Sequence, residues 1–211
     1  MTGRGAFAKL RRVVRREPAT TEERCDLCAS TLPQVHDHLV EPEKCRIWCS
    51  CAACARLVPA RKEARFKRVP RRVKTLFPGP APEELWASLD IPVTLAFFVR
   101  RSQSGQVDAF FPSPAGPMPA SVDADSWQRA MALCPALKAM ESDVEALLLH
   151  GSPGVQEAYV VPIDTCFLLI GSFRIHWEGL SGGDRVRQDV DEFFGRLRER
   201  ARAGSEGISH A

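Results

Sequence analysis

Two Cys-x-x-Cys pairs, Cys25–Cys28 and Cys51–Cys54, lie 22 residues apart and constrain this chain more than any other feature. Each pair curls its backbone so that both sulfurs aim at one point. Two such pairs offer four thiolates in a tetrahedron, the closed donor set of a structural zinc site. The cysteine-rich stretch, residues 24–58, is too short to bury a core of its own, so a metal ion would stabilise what apolar burial cannot. The spacer is long enough for a hairpin that folds the second pair over the first, as in zinc ribbons and treble-clef-like modules. Six of the eight cysteines fall between Cys25 and Cys54, leaving Cys134 and Cys166 isolated. The N-terminus is basic, but no apolar signal core follows it. The expected compartment is therefore cytoplasmic, where thiols stay reduced and a dense cysteine cluster reads as metal ligands rather than disulfides.

Cys25, Cys28, Cys51 and Cys54 are thus the expected ligands of one structural zinc ion. Alternates are close by. Cys49 precedes Cys51 by two residues, so on a strand both side chains face one way, and His36 and His38 share a face for the same reason. Each histidine is either a solvent-facing or backbone-bonded residue of the hairpin, a direct ligand, or a hydrogen-bond partner of the thiolates. Cys49 is either a small buried hydrophobe or a substitute ligand, and Cys45 lies between charged neighbours. An iron–sulfur cluster is the rival cofactor, although the ferredoxin spacings are missing. Four cysteines fill the coordination shell and no H-E-x-x-H pattern occurs, which argues against zinc catalysis and against an enzyme.

Charge divides the chain. Residues 1–75 carry 18 Lys/Arg and 8 Asp/Glu, or +10; the remainder carries 11 and 18, or −7. This asymmetry suggests modules with different neighbours. Residues 1–23 read as a basic amphipathic segment, with Phe7, Leu10 and Val14 at helical spacing. Residues 24–58 form the zinc-ribbon-like module, and residues 59–82 a basic linker that ends in the FPGPAP break. Residues 83–203 form an α+β domain, and residues 204–211 a flexible tail. The run Arg61–Lys74 beside a zinc ribbon suits nucleic acid, yet only Phe66 is available to stack on a base. Docking on the acidic half of the chain suits the run equally well.

In the α+β domain, strands are expected at 93–100, 107–111, 144–150 and 156–161. Helices are expected at 83–89, from Asp123 or Ser126 to Cys134, at 165–177 capped by Asp164, and from Asp184 to about Ala203. Residues 112–119 read as a rigid loop. The last helix carries an apolar stripe of Val186, Val190, Phe193, Phe194 and Leu197. The simplest packing is a four-stranded antiparallel sheet with helices on one face. Trp127 and Trp177 are expected in the core, and Trp48 as a shield for the metal. Cys166, near a helix N-terminus, is either a small buried residue or an activated thiol. The GLSGG of Gly179–Gly183 lacks the lysine and spacing of a phosphate loop. No window approaches the roughly 18 apolar residues of a membrane helix.

An ordered set of motifs runs through the chain: CDLC (Cys25–Cys28), HDHL (His36–Leu39), CSCAAC (Cys49–Cys54), IPVTLAFF (Ile91–Phe98), FFPSPAG (Phe110–Gly116), VPIDTC (Val161–Cys166) and HWEGLSGGD (His176–Asp184). The set resembles an uncharacterised family whose genes accompany actinobacterial-type nickel–iron hydrogenase operons, and the likeness spans residues 4 to 203. It implies a cytoplasmic accessory role near hydrogenase maturation or assembly, with no assigned activity or catalytic residue. It maps a metal-type pattern onto Cys25, Cys28, Cys49, Cys51 and Cys54, with His36 and His38 between them. Cys45 stands outside that pattern.

The expected function is a zinc-binding accessory protein that contacts a hydrogenase subunit or another accessory protein. The alternatives are a nucleic-acid-binding regulator using Arg61–Lys74, and a thiol-redox or iron–sulfur protein using Cys49 or Cys166.

Overall fold

A computed structural model describes residues 22–57, 65–77, 81–90, 93–152, 155–179 and 182–206. The basic amphipathic segment lies almost wholly outside the described residues, as do 58–64, 78–80 and the last five residues. Among the described residues the first strands form a small hairpin, β1 (Asp37–Glu41) and β2 (Arg46–Ser50), followed by a short helix, α1 (Ala52–Leu57). A segment with two brief strands follows, β3 (Lys67–Arg68) and β4 (Lys74–Thr75), and then α2 (Glu83–Leu89). Next come β5 (Leu95–Arg100), β6 (Val107–Phe111), β7 (Met118–Ser121) and α3 (Ala124–Leu133). The long hairpin β8 (Glu145–Ser152) and β9 (Val155–Pro162) precedes α4 (Ile163–His176) and α5 (Gly183–Glu206).

The strands form two antiparallel sheets, one of three strands in the order β2-β1-β3 and one of six in the order β4-β9-β8-β5-β6-β7. The central strands are apolar on both faces, as sheets covered on both sides require. Phe97, Val99, Ala146, Leu148 and Val161 pack against Cys166, Leu169 and Phe173 of α4 and against Phe194 and Leu197 of α5. Ala96, Phe98, Leu147, Leu149 and Val160 face the other way, onto Leu85 of α2, Trp127 of α3, Leu137 and Met140. Val40 of β1 belongs to the first of these cores, so the small sheet shares packing with the large one.

Two expectations about the sheet are corrected. It has six strands rather than four, and helices cover both faces rather than one. The two extra strands left no apolar signal. The β4 residues Lys74 and Thr75 are exposed within a basic run, and β7 is wholly exposed, contains Pro119 and uses the end of the expected loop. The 107–111 strand and the 83–89 helix lie where the sequence places them. Asp123 caps α3, its Oδ2 accepting from the Ser126 amide at 3.0 Å. Asp164 does not cap α4; Pro162 occupies that position, and α4 starts at Ile163. The last helix runs on to Glu206. Gly105 supplies the left-handed turn between β5 and β6, with φ +70.

The basic segment 65–77 is a strap between the sheets. Its β3 pairs with β1, and its β4 pairs with β9. Its cations meet carboxylates that burial would otherwise penalise. Arg65 reaches Glu41, Arg68 and Arg71 share Asp37, Lys67 meets Asp143, and Arg72 binds Glu145 and Glu141. Asp37, Glu41, Asp143 and Glu145 are all buried. Burial alone would push the Asp143 carboxyl up, but Lys67 and the Ser102 hydroxyl and amide outweigh it and hold the group below the usual carboxylate range. Asp37 is likewise held down by Arg68 and Arg71 against its burial.

Candidate metal centre

The first Cys-x-x-Cys pair sits in a tight loop closed by Ala29 N–H donating to Cys25 O at 2.8 Å and Cys25 N–H donating to Ser30 O at 2.8 Å. Ala29 takes a left-handed conformation, φ 60, to complete the turn. Asp26 fastens this loop to β2: its amide donates to Cys49 O at 2.9 Å, and its carboxylate accepts from the Cys49 amide at 2.6 Å. The second pair opens α1. Cys51 directly precedes the helix and Cys54 lies in its first turn, where free amides and the helix dipole favour negative charge. The order is loop, hairpin, helix.

The four sulfurs of Cys25, Cys28, Cys51 and Cys54 converge, all within 4.8 Å of one another. Cys28 Sγ and Cys51 Sγ are 3.8 Å apart. Two sulfurs bound at about 2.3 Å to one tetrahedral ion would be about 3.8 Å apart. The donor set therefore fits a single ion. Burial raises the Cys25 thiol pKa, but amides of Cys51, Leu27 and Cys28 directed at its sulfur outweigh this and lower it to about 6. Cys51 is also lowered, chiefly by the Cys54 amide, which donates to its sulfur at 3.4 Å. Cys54 is pushed up to about 12 by its hydrogen bonds with Cys28 and Cys51 and by burial. The backbone amides thus favour charge on Cys25 and Cys51, and a cation among the four sulfurs would favour it on all of them.

His36, His38 and Cys49 do not join this cluster. They form a second group whose donor atoms also lie within 4.8 Å of one another. Cys49 is paired with His38 across β1 and β2, so both project from the same face. Cys45 belongs to neither group; it is exposed, left-handed at φ 49, and accepts from Arg101 at 3.1 Å. Trp48 faces away from Cys49 and packs edge-on against Phe66 of the strap. Cys166 is buried, and burial pushes its thiol well above the ordinary range, the environment of a small buried residue. Trp127 is in the core, as expected, and Trp177 packs at its edge. Sequence reasoning missed Asp26 and gave Asp164 only a capping role. Asp164 meets His38 Nδ1 at 2.6 Å across 126 residues, a contact for which no local signal exists.

These features define an α+β protein of two antiparallel sheets with a four-cysteine centre able to hold a metal ion. Among the described residues, no helix is long and apolar enough to cross a membrane. The chain belongs to the DUF5947 family, a family of unknown function whose model matches residues 24–201. No curated protein and no solved structure matches it.

Proposed function

We propose that this is a cytoplasmic, zinc-binding accessory protein that assists nickel–iron hydrogenase maturation or assembly through protein–protein contacts. Cys25, Cys28, Cys51 and Cys54 hold one structural zinc ion, as thiolate softness favours. The spacing of the sulfurs supports a single ion over an iron–sulfur cluster, whose thiolates bind different irons and stand further apart.

The observation that carries a contact role is the character of α4. Its sequence, IDTCFLLIGSFRIH, is apolar around nearly its whole circumference, the pattern of a fully buried helix. Yet Leu168 and Ile175, two turns apart on one face, are 68% and 75% exposed. Two apolar side chains aligned in this way on an otherwise buried type of helix support a surface that a partner covers. The resemblance of the motif set to a family whose genes accompany nickel–iron hydrogenase operons supports this class of partner. Nucleic acid is a poorer fit, because Arg65, Lys67, Arg68, Arg71 and Arg72 are all engaged by the chain's own carboxylates.

Affinity capture of the full chain from hydrogenase-producing cells tests the reading. A hydrogenase subunit or accessory protein should be enriched, and Leu168→Glu with Ile175→Glu should abolish the enrichment. Recovery of no hydrogenase-system protein refutes the proposal.

A further inference from the structure

We infer that His36, His38 and Cys49 form a second metal site, separate from the four-cysteine centre, that takes a late first-row divalent transition ion and leaves one coordination position open. The inference starts from the protons. His36 Nδ1 lies 3.1 Å from the Pro33 carbonyl oxygen, which only accepts, so this nitrogen carries the proton. Glu23 Oε2 stands 3.6 Å from the same nitrogen. His38 Nδ1 lies 2.6 Å from the Asp164 carboxylate, so it too is the protonated nitrogen. In the neutral rings, both Nε2 atoms then carry lone pairs.

Those two Nε2 atoms face each other at 3.1 Å. Two lone pairs at that distance repel unless a cation lies between them. Two imidazoles bound at about 2.05 Å to one tetrahedral ion would place their nitrogens about 3.3 Å apart. The rings are nearly perpendicular, at 85°, so each can direct a lone pair at a common point. Cys49 Sγ completes a three-donor group, delivered by the β1–β2 register. The contacts to the outer nitrogens are those typical of metal-bound histidine: a carboxylate on one and a backbone carbonyl on the other.

Two imidazoles and a thiolate suit zinc, cobalt, nickel or copper, and are too soft for magnesium or calcium. Three protein donors leave a fourth position for water or an incoming ligand, unlike the closed four-cysteine centre. The His38 side chain is 26% exposed and that of His36 is 7% exposed, so an incoming ligand would approach past His38. Asp164 and the exposed Leu168 are one turn apart on α4, so a partner lying along that face would pass beside His38. The competing account is a proton shared between the histidines, with one ring charged.

The test is a cobalt(II) titration of the full, metal-depleted chain, followed by absorbance and by elemental analysis after gel filtration. Two equivalents should bind. The second should carry a thiolate charge-transfer band and ligand-field bands shifted to the blue of the first, because imidazole replaces thiolate. Cys49→Ser should remove the charge-transfer band of the second equivalent, and His36→Ala with His38→Ala should remove that equivalent altogether. Asp164→Asn should weaken it by about 10–100-fold while leaving the first unchanged. Saturation at one equivalent, which is the shared-proton outcome, overturns the inference. So does a second equivalent indifferent to Cys49→Ser. The result is independent of the hydrogenase reading, since two bound ions and no captured partner would sustain one and refute the other.

Discussion

Lys67→Met is the sharpest test of how the strap holds the two sheets together. Lys67 Nζ donates to Asp143 Oδ2 at 2.6 Å, and the Ser102 amide donates to Oδ1 at 3.2 Å. Asp143 is only 2% exposed, so water cannot replace the ammonium. The substitution keeps the alkyl stem but leaves the buried carboxylate with Ser102 alone and no counter-charge. Removing one partner of a buried pair costs about 3–5 kcal/mol. For a chain of this size that lowers Tm by about 6–20 °C. Urea denaturation of the metal-loaded protein, followed by tryptophan fluorescence, measures the loss. The pH dependence fixes its cause. The Asp143 carboxyl is depressed in the native state, so its contribution is complete above the ordinary carboxylate range and is lost as pH falls through the native value. Without Lys67, burial dominates and the carboxyl rises. The gap between variant and parent should therefore be widest near pH 7 and narrow towards pH 4. Asp143→Asn in the Lys67→Met background should recover much of the loss, since asparagine tolerates the left-handed φ of 70 at this position. A loss below about 1 kcal/mol, or a gap that does not change with pH, refutes the assignment.

Other substitutions separate neighbouring roles. Arg72→Ala should cost about 3–5 kcal/mol, because Glu145 is fully buried and accepts from Arg72 Nε at 2.6 Å. Arg68→Ala should cost only about 1 kcal/mol, because Arg71 still reaches Asp37 and Arg68 is half exposed; urea midpoints rank the two. Phe194→Ala should cost about 3–5 kcal/mol in the same assay, as this buried ring stacks on His150 at 4.0 Å. Cys166 should resist iodoacetamide in the folded protein and react once urea unfolds it, as mass spectrometry of the modified peptides would show.

What the sequence makes legible follows physical range. The sulfurs of Cys25, Cys28, Cys51 and Cys54 converge through a tight loop and a helix start, both written in local spacing. The central strands β5, β8 and β9 are apolar runs bounded by turns, and they read as strands for that reason. The edges of the sheet did not read this way. Lys74, Thr75 and the β7 residues are exposed, so pairing with a neighbour makes them strands, and nothing in their own composition does. Helices on both faces were equally hidden, because an apolar strand buried on two sides carries no alternation to say which helix lies where. The roles of Asp164 and of the strap cations depend on partners 126, 76 and 73 residues away. Charge counting could register their sign but not their mates.

The two metal groups differ in the same respect, and this yields a last prediction. Every ligand of the four-cysteine centre lies between residues 25 and 54, within one loop, one hairpin and one helix. The histidine group needs β1 held against α4, because His38 is oriented by Asp164. The strap holds it there. β3 pairs Lys67 with Val40 and Arg68 with Leu39, and the Val69 amide donates to His38 O at 3.0 Å. Lys67 and Arg68, adjacent on a strand, point to opposite faces and find Asp143 and Asp37 respectively. A slip of one residue would exchange those faces and bring an apolar neighbour, Phe66 or Val69, to one of the two carboxylates, so buried charge disfavours the slipped register. Loosening the strap with Lys67→Met should therefore weaken the second cobalt equivalent, by at most the about 10–100-fold expected for losing Asp164 outright, and spare the first. Equal weakening of both would mean that the strap supports the whole module without distinction. No effect on either would mean that β1 is placed by its apolar contacts alone.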